Sequence, residues 1–408
     1  MRWIIFIVFF LLIEIYAYQA LKTITRNYWL LGFYFLITAA VVGNFLYQWL
    51  KPVEGSVLTG ARSYAFGFLL AVLLFKVFLM LIMFGEDLVR LSIAGFKKMF
   101  TAEDAFALPS RRKFLSQVAL GLATIPFASV LYGMYQGRYN FRVLRYTLYF
   151  EDLPAAFDGY RLSQISDIHS GSFDNKEKIQ YGVDLLNEQE SDMIVFTGDL
   201  VNNEAKEMEQ WTEMFGDIKA KDGVYSILGN HDYGDYKKWD SAEAKKENLD
   251  TLKQTHAKMG WDLLLNEHRI IERNGEKIAL VGVENWGSGG FKKEGDLDKA
   301  GEGLQEKDFK VLLSHDPSYW QEKIKKDKNN YHLTLSGHTH GMQFGIEIPG
   351  WFKWSPAQYR YENWAGIYKE FGRYINVNRG FGFLAFPGRV GIWPEISVIE
   401  LKRGSKPS

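Results

Sequence analysis

The sequence has no cysteine. That excludes disulfides and any thiolate metal site, and it leaves the redox compartment open. Histidine is absent from the first 168 residues, yet eight follow, five of them inside the motifs described below. Acidic residues are scarce over positions 1–140, with 6 Asp/Glu against 13 Lys/Arg, whereas the remainder carries 42 acidic and 35 basic residues. A formal net charge of zero thus hides a basic first part and a mildly acidic second part. An acidic soluble part repels a polyphosphate backbone, so extended nucleic acid is excluded as an expected partner.

The first part holds four apolar stretches, at about Trp3–Tyr18, Trp29–Leu50, Ala65–Phe84 and Phe114–Tyr135. A bilayer core needs roughly 20 apolar residues of helix, so residues 1–137 are expected to form a transmembrane region of about four helices. Glu14 and Lys76 interrupt the first and third stretches; inside a bundle such charges snorkel or pair. Residues 86–100 have apolar positions at helical spacing with basic residues between, the pattern of a helix lying on the membrane surface. The SRRKFL segment (110–115) has two readings, a twin-arginine export signal or a plain basic anchor. Both place Arg111 and Arg112 on the cytoplasmic side. Orientation follows the Lys/Arg bias of short loops. Lys22 and Arg26 in one loop, and Arg90, Lys97, Lys98, Arg111, Arg112 and Lys113 in another, outnumber Arg2, Lys51 and Arg62 opposite. The expectation is a multi-pass inner-membrane protein whose domain from about Arg138 onward is extracytoplasmic. The topology reverses if the first or fourth stretch does not cross.

After Gly137 the pattern changes to strands alternating with helices, which predicts an α/β layered domain over 142–403. Residues 142–154 read as an opening strand and turn. Helices are expected at 175–190, 205–218 and 241–259. A hairpin is expected around Asn274-Gly275, a favoured two-residue turn, and residues 396–403 are expected to close the chain as an edge strand. Five strands end in polar residues, at YRLSQISDIH (160–169), DMIVFTGDL (192–200), GVYSILGNHD (223–232), KVLLSHDP (310–317) and YHLTLSGHTH (331–340). Open α/β sheets build their sites just past such strand ends.

Asp167 and His169 are spaced i, i+2, so on an extended strand both project to one face and can reach one ion. His338 and His340 repeat the arrangement with two imidazoles. Asp199 adds a carboxylate, Asn230, His231 and Asp232 an amide, an imidazole and a carboxylate, and His315 one more imidazole. This is enough for two divalent ions, and a nitrogen and oxygen set without thiolate suits Mn, Fe, Zn, Ni or Co. A dinuclear site activates a water and clamps both oxygens of an in-line displacement at phosphorus. Glycine before Asp199, Asn230 and His338 fits tight turns that bring the backbone close to the ions.

The ordered set DxH, GD, GNHD, H and GHTH resembles the calcineurin-like metallophosphoesterase superfamily. Each motif alone is weak; five in order, each after an apolar strand, are specific. The resemblance covers most of 142–403 and implies a four-layer α/β/β/α sandwich, here preceded by the α-helical transmembrane region. It further implies that Asp167, His169 and His340 hold one metal, that Asn230, His315 and His338 hold the other, and that Asp199 bridges them. His231 is then the residue that contacts phosphate and protonates the leaving group, with Asp232 orienting it. The SRRKFL segment, GHTHGMQFG and the terminal PEISVIEL are similar to a bacterial membrane-associated branch, some of it related to UDP-2,3-diacylglucosamine hydrolases. The chain does not resemble the Ser/Thr protein phosphatases, because Asp232 and Tyr233 stand where those carry an Arg after GNH.

His256, His268 and His332 read as surface or packing residues. The aromatic-rich segment 351–368 is a packed lid over the site, or else an apolar wall for a lipid-like substrate or a membrane-contacting loop. Arg379 contacts substrate phosphate or serves as a structural ion-pair partner. The expected activity is metal-dependent hydrolysis of a phosphodiester or pyrophosphate, with a phosphoester or lipid-linked pyrophosphate as substrate and the lipid bilayer as partner. The alternative is a membrane sensor or scaffold with the same fold and no turnover.

Overall fold

The computed structural model describes residues 2–51, 60–100, 109–348 and 351–406, and it divides into a helical unit ending at Tyr135 and an α/β unit from Gln136 onward.

The helical unit contains α1 (Arg2–Ile24), α2 (Tyr28–Leu50), α3 (Gly60–Phe100) and α4 (Pro109–Tyr135). Among the described residues, α2, α3 and α4 are long and apolar enough to cross a membrane. Asn27 caps α2 by accepting the Trp29 N–H, which fixes where that helix starts. The interior is lined by Ala17, Ala20, Leu79, Met83, Ala119 and Ala123. Small residues there let helix backbones approach closely, as packing in lipid requires. Glu14 and Lys76 pair inside this unit at 2.6 Å, and Thr38 Oγ1 accepts from Lys76 Nζ at 2.8 Å. The Tyr34 hydroxyl donates to the other Glu14 oxygen at 2.7 Å. The surface helix expected at 86–100 is not separate: α3 runs unbroken through Gly85. One glycine costs a helix interior only about 1 kcal/mol, and the flanking helix formers carry it. The side chains of Trp3, Lys97, Lys98 and Arg111 lie outside the described residues.

The α/β unit is built on two six-stranded sheets. The first orders β1 (Arg142–Phe150), β14 (Glu395–Arg403), β2 (Arg161–Ile165), β3 (Met193–Phe196), β4 (Val224–Ser226) and β5 (Asp262–Leu263). The second orders β12 (Gly366–Glu370), β13 (Arg373–Val377), β9 (Leu333–Ser336), β8 (Lys310–Leu313), β7 (Glu276–Gly282) and β6 (Glu267–Arg273). A separate ribbon pairs β10 (Ile346–Ile348) with β11 (Phe352–Trp354). Helices α5 (Lys176–Asn187), α6 (Thr212–Gly216), α7 (Ala242–Lys258), α8 (Leu297–Ala300) and α9 (Pro317–Glu322) complete it.

Strand periodicity decides the layers. Val195 packs into the core shared by the two sheets, beside Leu162, Ile399, Leu280, Val311 and Leu333. Its neighbours Ile194 and Phe196 point the other way, onto Ile179 and Val183 of α5 and Leu252 of α7. On the second sheet Leu312 faces outward with Ala279 and Val281, against Trp320 of α9. The result is the four-layer α/β/β/α sandwich.

Two expectations change. Residues 396–403 belong to β14, which lies between β1 and β2 and is no edge strand; its backbone pairs on both sides, its side chains are buried along most of its length, and β1 takes the edge. Residues 205–218 form a single turn at Ala205–Met208 followed by the short α6, not one helix. The hairpin at 274–275 forms as read, with Asn274 and Gly275 both at positive φ.

Candidate metal centre

The site residues stand just past the C-terminal ends of β2, β3, β4, β8 and β9. Asp167, His169, Asp199, His338 and His340 all adopt positive φ, between 49° and 72°. Non-glycine residues avoid that region unless surrounding structure compels it, and such strain gathers at functional sites. The glycines of the motifs are there for space. A Cβ at Gly229 would overlap Oδ1 of Asp199, and one at Gly337 would overlap Ser166 and Asp167.

Two groups of ligand atoms converge. Nε2 of His340 lies 3.2 Å from Oδ1 of Asp167 and 3.0 Å from Nε2 of His169. In the second group, Nε2 of His315 lies 3.2 Å from Oδ2 of Asp199 and 3.2 Å from Oδ1 of Asn230. Nδ1 of His338 lies 2.8 Å from the same Asn230 oxygen. Oδ2 of Asp199 is also 3.6 Å from His169 Nε2, so one carboxylate reaches both groups.

Outer partners fix which ring nitrogens face inward. The Thr197 carbonyl is 2.7 Å from His315 Nδ1. A carbonyl only accepts, so Nδ1 carries the proton and Nε2 presents its lone pair to the site. His338 likewise turns Nε2 to the Tyr361 hydroxyl at 2.8 Å and the Asp316 carboxylate at 3.4 Å, leaving Nδ1 inward. Oxygen and imidazole donors oriented in this way fit divalent ions.

The electrostatics agree. Burial alone pushes Asp167 and Asp199 up, but neighbouring imidazoles, His340 for Asp167 and His315 for Asp199, outweigh it and hold both below the usual carboxylate range. Burial opposes the charge of His315, yet the Asp199 and Asp167 carboxylates prevail and raise it to about 10, so a bound cation would take the place of a proton on Nε2. His169 and His338 are pushed down, first by burial. Two buried carboxylates therefore demand positive charge at this point, which is what a cation site needs.

His231 sits between the ligands and the open side. Its Nδ1 donates to the Asn202 carbonyl at 2.8 Å, which leaves Nε2 as the nitrogen that can exchange a proton. Its backbone N–H donates to Asp199 Oδ1 at 2.8 Å. Asp232 does not orient the His231 ring as expected. Its buried carboxylate accepts the backbone N–H groups of Asp199 (2.9 Å), Leu200 (2.8 Å) and Gly229 (2.8 Å), clamping two site loops together. Burial, then the nearby Asp199 charge, raise it to about 7.

Of its two readings, Arg379 matches the ion-pair partner: it is buried, with Nη1 on Glu395 at 2.5 Å and Nη2 on Glu347 at 2.6 Å. His256, His268 and His332 lie outside the centre: His256 and His332 are buried packing residues, and His268 bonds the Ala300 carbonyl.

A cleft of about 350 Å³ opens over the centre, lined by His169, Asp199, Asn230, His231, His338 and His340 together with Asn203, Tyr236, Phe291 and Leu384. Tyr236 accepts from Asn230 Nδ2 at 2.8 Å. Tyr236 and Phe291 escaped sequence reading, since loop aromatics carry no periodic signal, whereas Tyr361 lies in the aromatic segment read as covering the site. Asp316 was findable, because it follows His315 directly. The segment 351–368 divides: Trp364 packs inside and Tyr361 reaches His338, whereas Trp351 and Phe352 are exposed.

Residues 160–342 match the family model described as Calcineurin-like phosphoesterase. Residues 1–138 match a second, described as Probable Calcineurin-like phosphoesterase, transmembrane domain. The chain is 28% identical over 299 residues to the uncharacterized metallophosphoesterase YkuE of Bacillus subtilis, covering 72% of this chain and 98% of that one. It is 27% identical to an uncharacterized metallophosphoesterase of Helicobacter pylori, covering 94% and 92%. It is 29% identical to a transmembrane protein with metallophosphoesterase domain of Danio rerio, covering 74% and 66%.

Proposed function

Since the chain belongs to the calcineurin-like metallophosphoesterases and is a hydrolase of phosphoric esters, we propose that it holds two divalent ions and cleaves a phosphodiester or pyrophosphate on a lipid-linked substrate. Residues 142–403 are the catalytic domain and 1–137 its transmembrane region in this reading. Asp167, His169 and His340 hold one ion, Asn230, His315 and His338 the other, and Asp199 is shared. When bound, such ions polarise the phosphoryl oxygens and activate a water.

The remaining steps belong to the chain's own groups. His231 has Nδ1 committed to the Asn202 carbonyl, so Nε2 holds the proton that passes to the leaving oxygen. Asp232 holds the backbone of Asp199 and Gly229 in register. Tyr361 and Asp316 keep the His338 ring turned. Phe291 and Leu384 supply apolar wall to the cleft. The observation that carries the proposal is the single Asp199 carboxylate within reach of both ligand groups.

We place the protein in the inner membrane with an extracytoplasmic catalytic domain, on the Lys/Arg bias of its loops. A screen of the full chain in detergent, against an aryl phosphodiester and a lipid-linked pyrophosphate with several divalent metals, tests the activity. Hydrolysis of the pyrophosphate in preference to the aryl ester is expected; no hydrolysis with any metal would overturn it. A C-terminal reporter active only outside the cytoplasm should be active, and activity of a cytoplasm-only reporter reverses the topology.

A further inference from the structure

The ribbon of β10 and β11 is amphipathic in the wrong sense for a soluble domain. Cross-strand partners share a face of a two-stranded ribbon. Glu347 pairs with Lys353, whereas Ile346 pairs with Trp354 and Ile348 with Phe352. The polar face is the one tied down. Glu347 accepts from buried Arg379 at 2.6 Å. Lys353 donates to the Ala365 carbonyl at 2.6 Å and lies over the Trp364 and Tyr368 rings. The apolar face looks out: Ile346 is 55% exposed, Ile348 44% and Phe352 48%. Trp351, beside the tip, is 81% exposed.

Isolated two-stranded ribbons are marginal in water, and this one is rooted. The Gly345 N–H donates to the Val390 carbonyl at 2.9 Å, and Ser355 Oγ donates to the Gly341 carbonyl at 2.6 Å. The root is therefore continuous with the loop that carries His340. An anchored ribbon whose charges are tied to the domain and whose Ile346, Ile348 and Phe352, with Trp351 beside them, are exposed has the composition of an interfacial membrane element.

We propose that this ribbon inserts into the headgroup and acyl boundary of a phospholipid bilayer, as a second membrane contact besides the transmembrane helices. The connection supports a bilayer over any other occupant. Helix α4 ends at Tyr135 and β1 starts at Arg142, so a short connection tethers the domain that carries the ribbon to the membrane-spanning helices. Tethering of this kind makes a weak contact effective without further affinity. The inference rests on the transmembrane region and not on the substrate or the metals, so it stands or falls separately from the proposed activity.

The absence of native cysteine makes the test direct. Trp351→Cys in the full chain, labelled with bimane and reconstituted into phosphatidylcholine and phosphatidylglycerol vesicles, reports the environment of the tip. Lys277→Cys, on an exposed part of the β6–β7 hairpin, is the control. Lipid carrying a shallow nitroxide quencher should quench the label at 351 several-fold more than the label at 277, and aqueous iodide should do the reverse. Phe352→Cys repeats the measurement in case the first variant does not fold. Equal iodide quenching at both sites without lipid quenching overturns the proposal. So does spin–spin coupling between nitroxide labels at 351 of two copies without lipid quenching, which would make a second copy the occupant.

Discussion

The Nε2 atoms of His169 and His340 face each other at 3.0 Å, although the residues are 171 positions apart. Two ring nitrogens and the Asp167 carboxylate pointed at one spot make sense as donors to a common cation. Replacement of His340 by Ala removes one donor from this group and none from the His315 group. Metal analysis should find the variant reduced towards one ion per chain, with activity lost. Retention of both ions at full occupancy would contradict the ligand assignment.

His231 and Asp232 are adjacent in sequence but separate in role. His231→Ala should keep its metals and lose roughly 10²–10⁴-fold in rate, the usual worth of acid–base help. The loss should shrink for aryl esters, whose leaving groups need no proton. Asp232→Asn places an amide against four backbone N–H groups, those of Asp199, Leu200, Val201 and Gly229, so it should lower metal occupancy along with activity. The same leaving-group dependence in both variants would mean that Asp232 acts through the His231 ring after all.

Lys76 and Glu14 are partners inside the helical unit. Removing one member of a buried pair costs about 3–5 kcal/mol, whereas removing both costs much less. Lys76→Met should therefore lower the melting temperature of the detergent-solubilised chain, and Glu14→Gln with Lys76→Met should recover most of the loss. A silent single variant would show that the pair is solvated.

His256 is fully buried with Nδ1 on Ser226 Oγ at 2.9 Å, and burial pushes its pKa down to about 3. The unfolded chain binds this proton near pH 6.5 and the folded chain does not. Stability should therefore fall as pH drops from about 6.5 towards 3, by up to ~1.4 kcal/mol per pH unit from this residue. Melting curves of wild type and His256→Gln between pH 7.5 and 5 should converge at low pH. A constant gap between them would rule out the linkage.

What could be read from the sequence was what periodicity and local motifs carry. Asp167, His169, His338 and His340 follow strands with unambiguous apolar runs, so their place at strand ends was legible; the extended i, i+2 geometry was not, because left-handed backbone there sends His340 to the Asp167 group and His338 to the His315 group. Contacts made by the backbone were not: the Asn202 carbonyl that fixes His231 leaves no trace in side-chain chemistry. Residues 396–403 looked like an edge because they end the chain, and only the pairing with β1 places them inside the sheet. The ribbon at 346–354 was hidden for the opposite reason. Its alternation is regular, but sequence alone does not reveal that Glu347 and Lys353 are tied to the domain through Arg379 and the Ala365 carbonyl.

Metal content and turnover measured together on the Asp199→Ala variant test the central claim most directly. Wild-type protein purified without chelator should carry about two ions per chain and hydrolyse an aryl phosphodiester, losing that activity to chelator and regaining it with added metal. Asp199→Ala should lose both ions and nearly all activity, because it removes the carboxylate that both ligand groups share. A metal-free wild type with full activity, or an Asp199→Ala variant that keeps both ions and its turnover, would contradict the account.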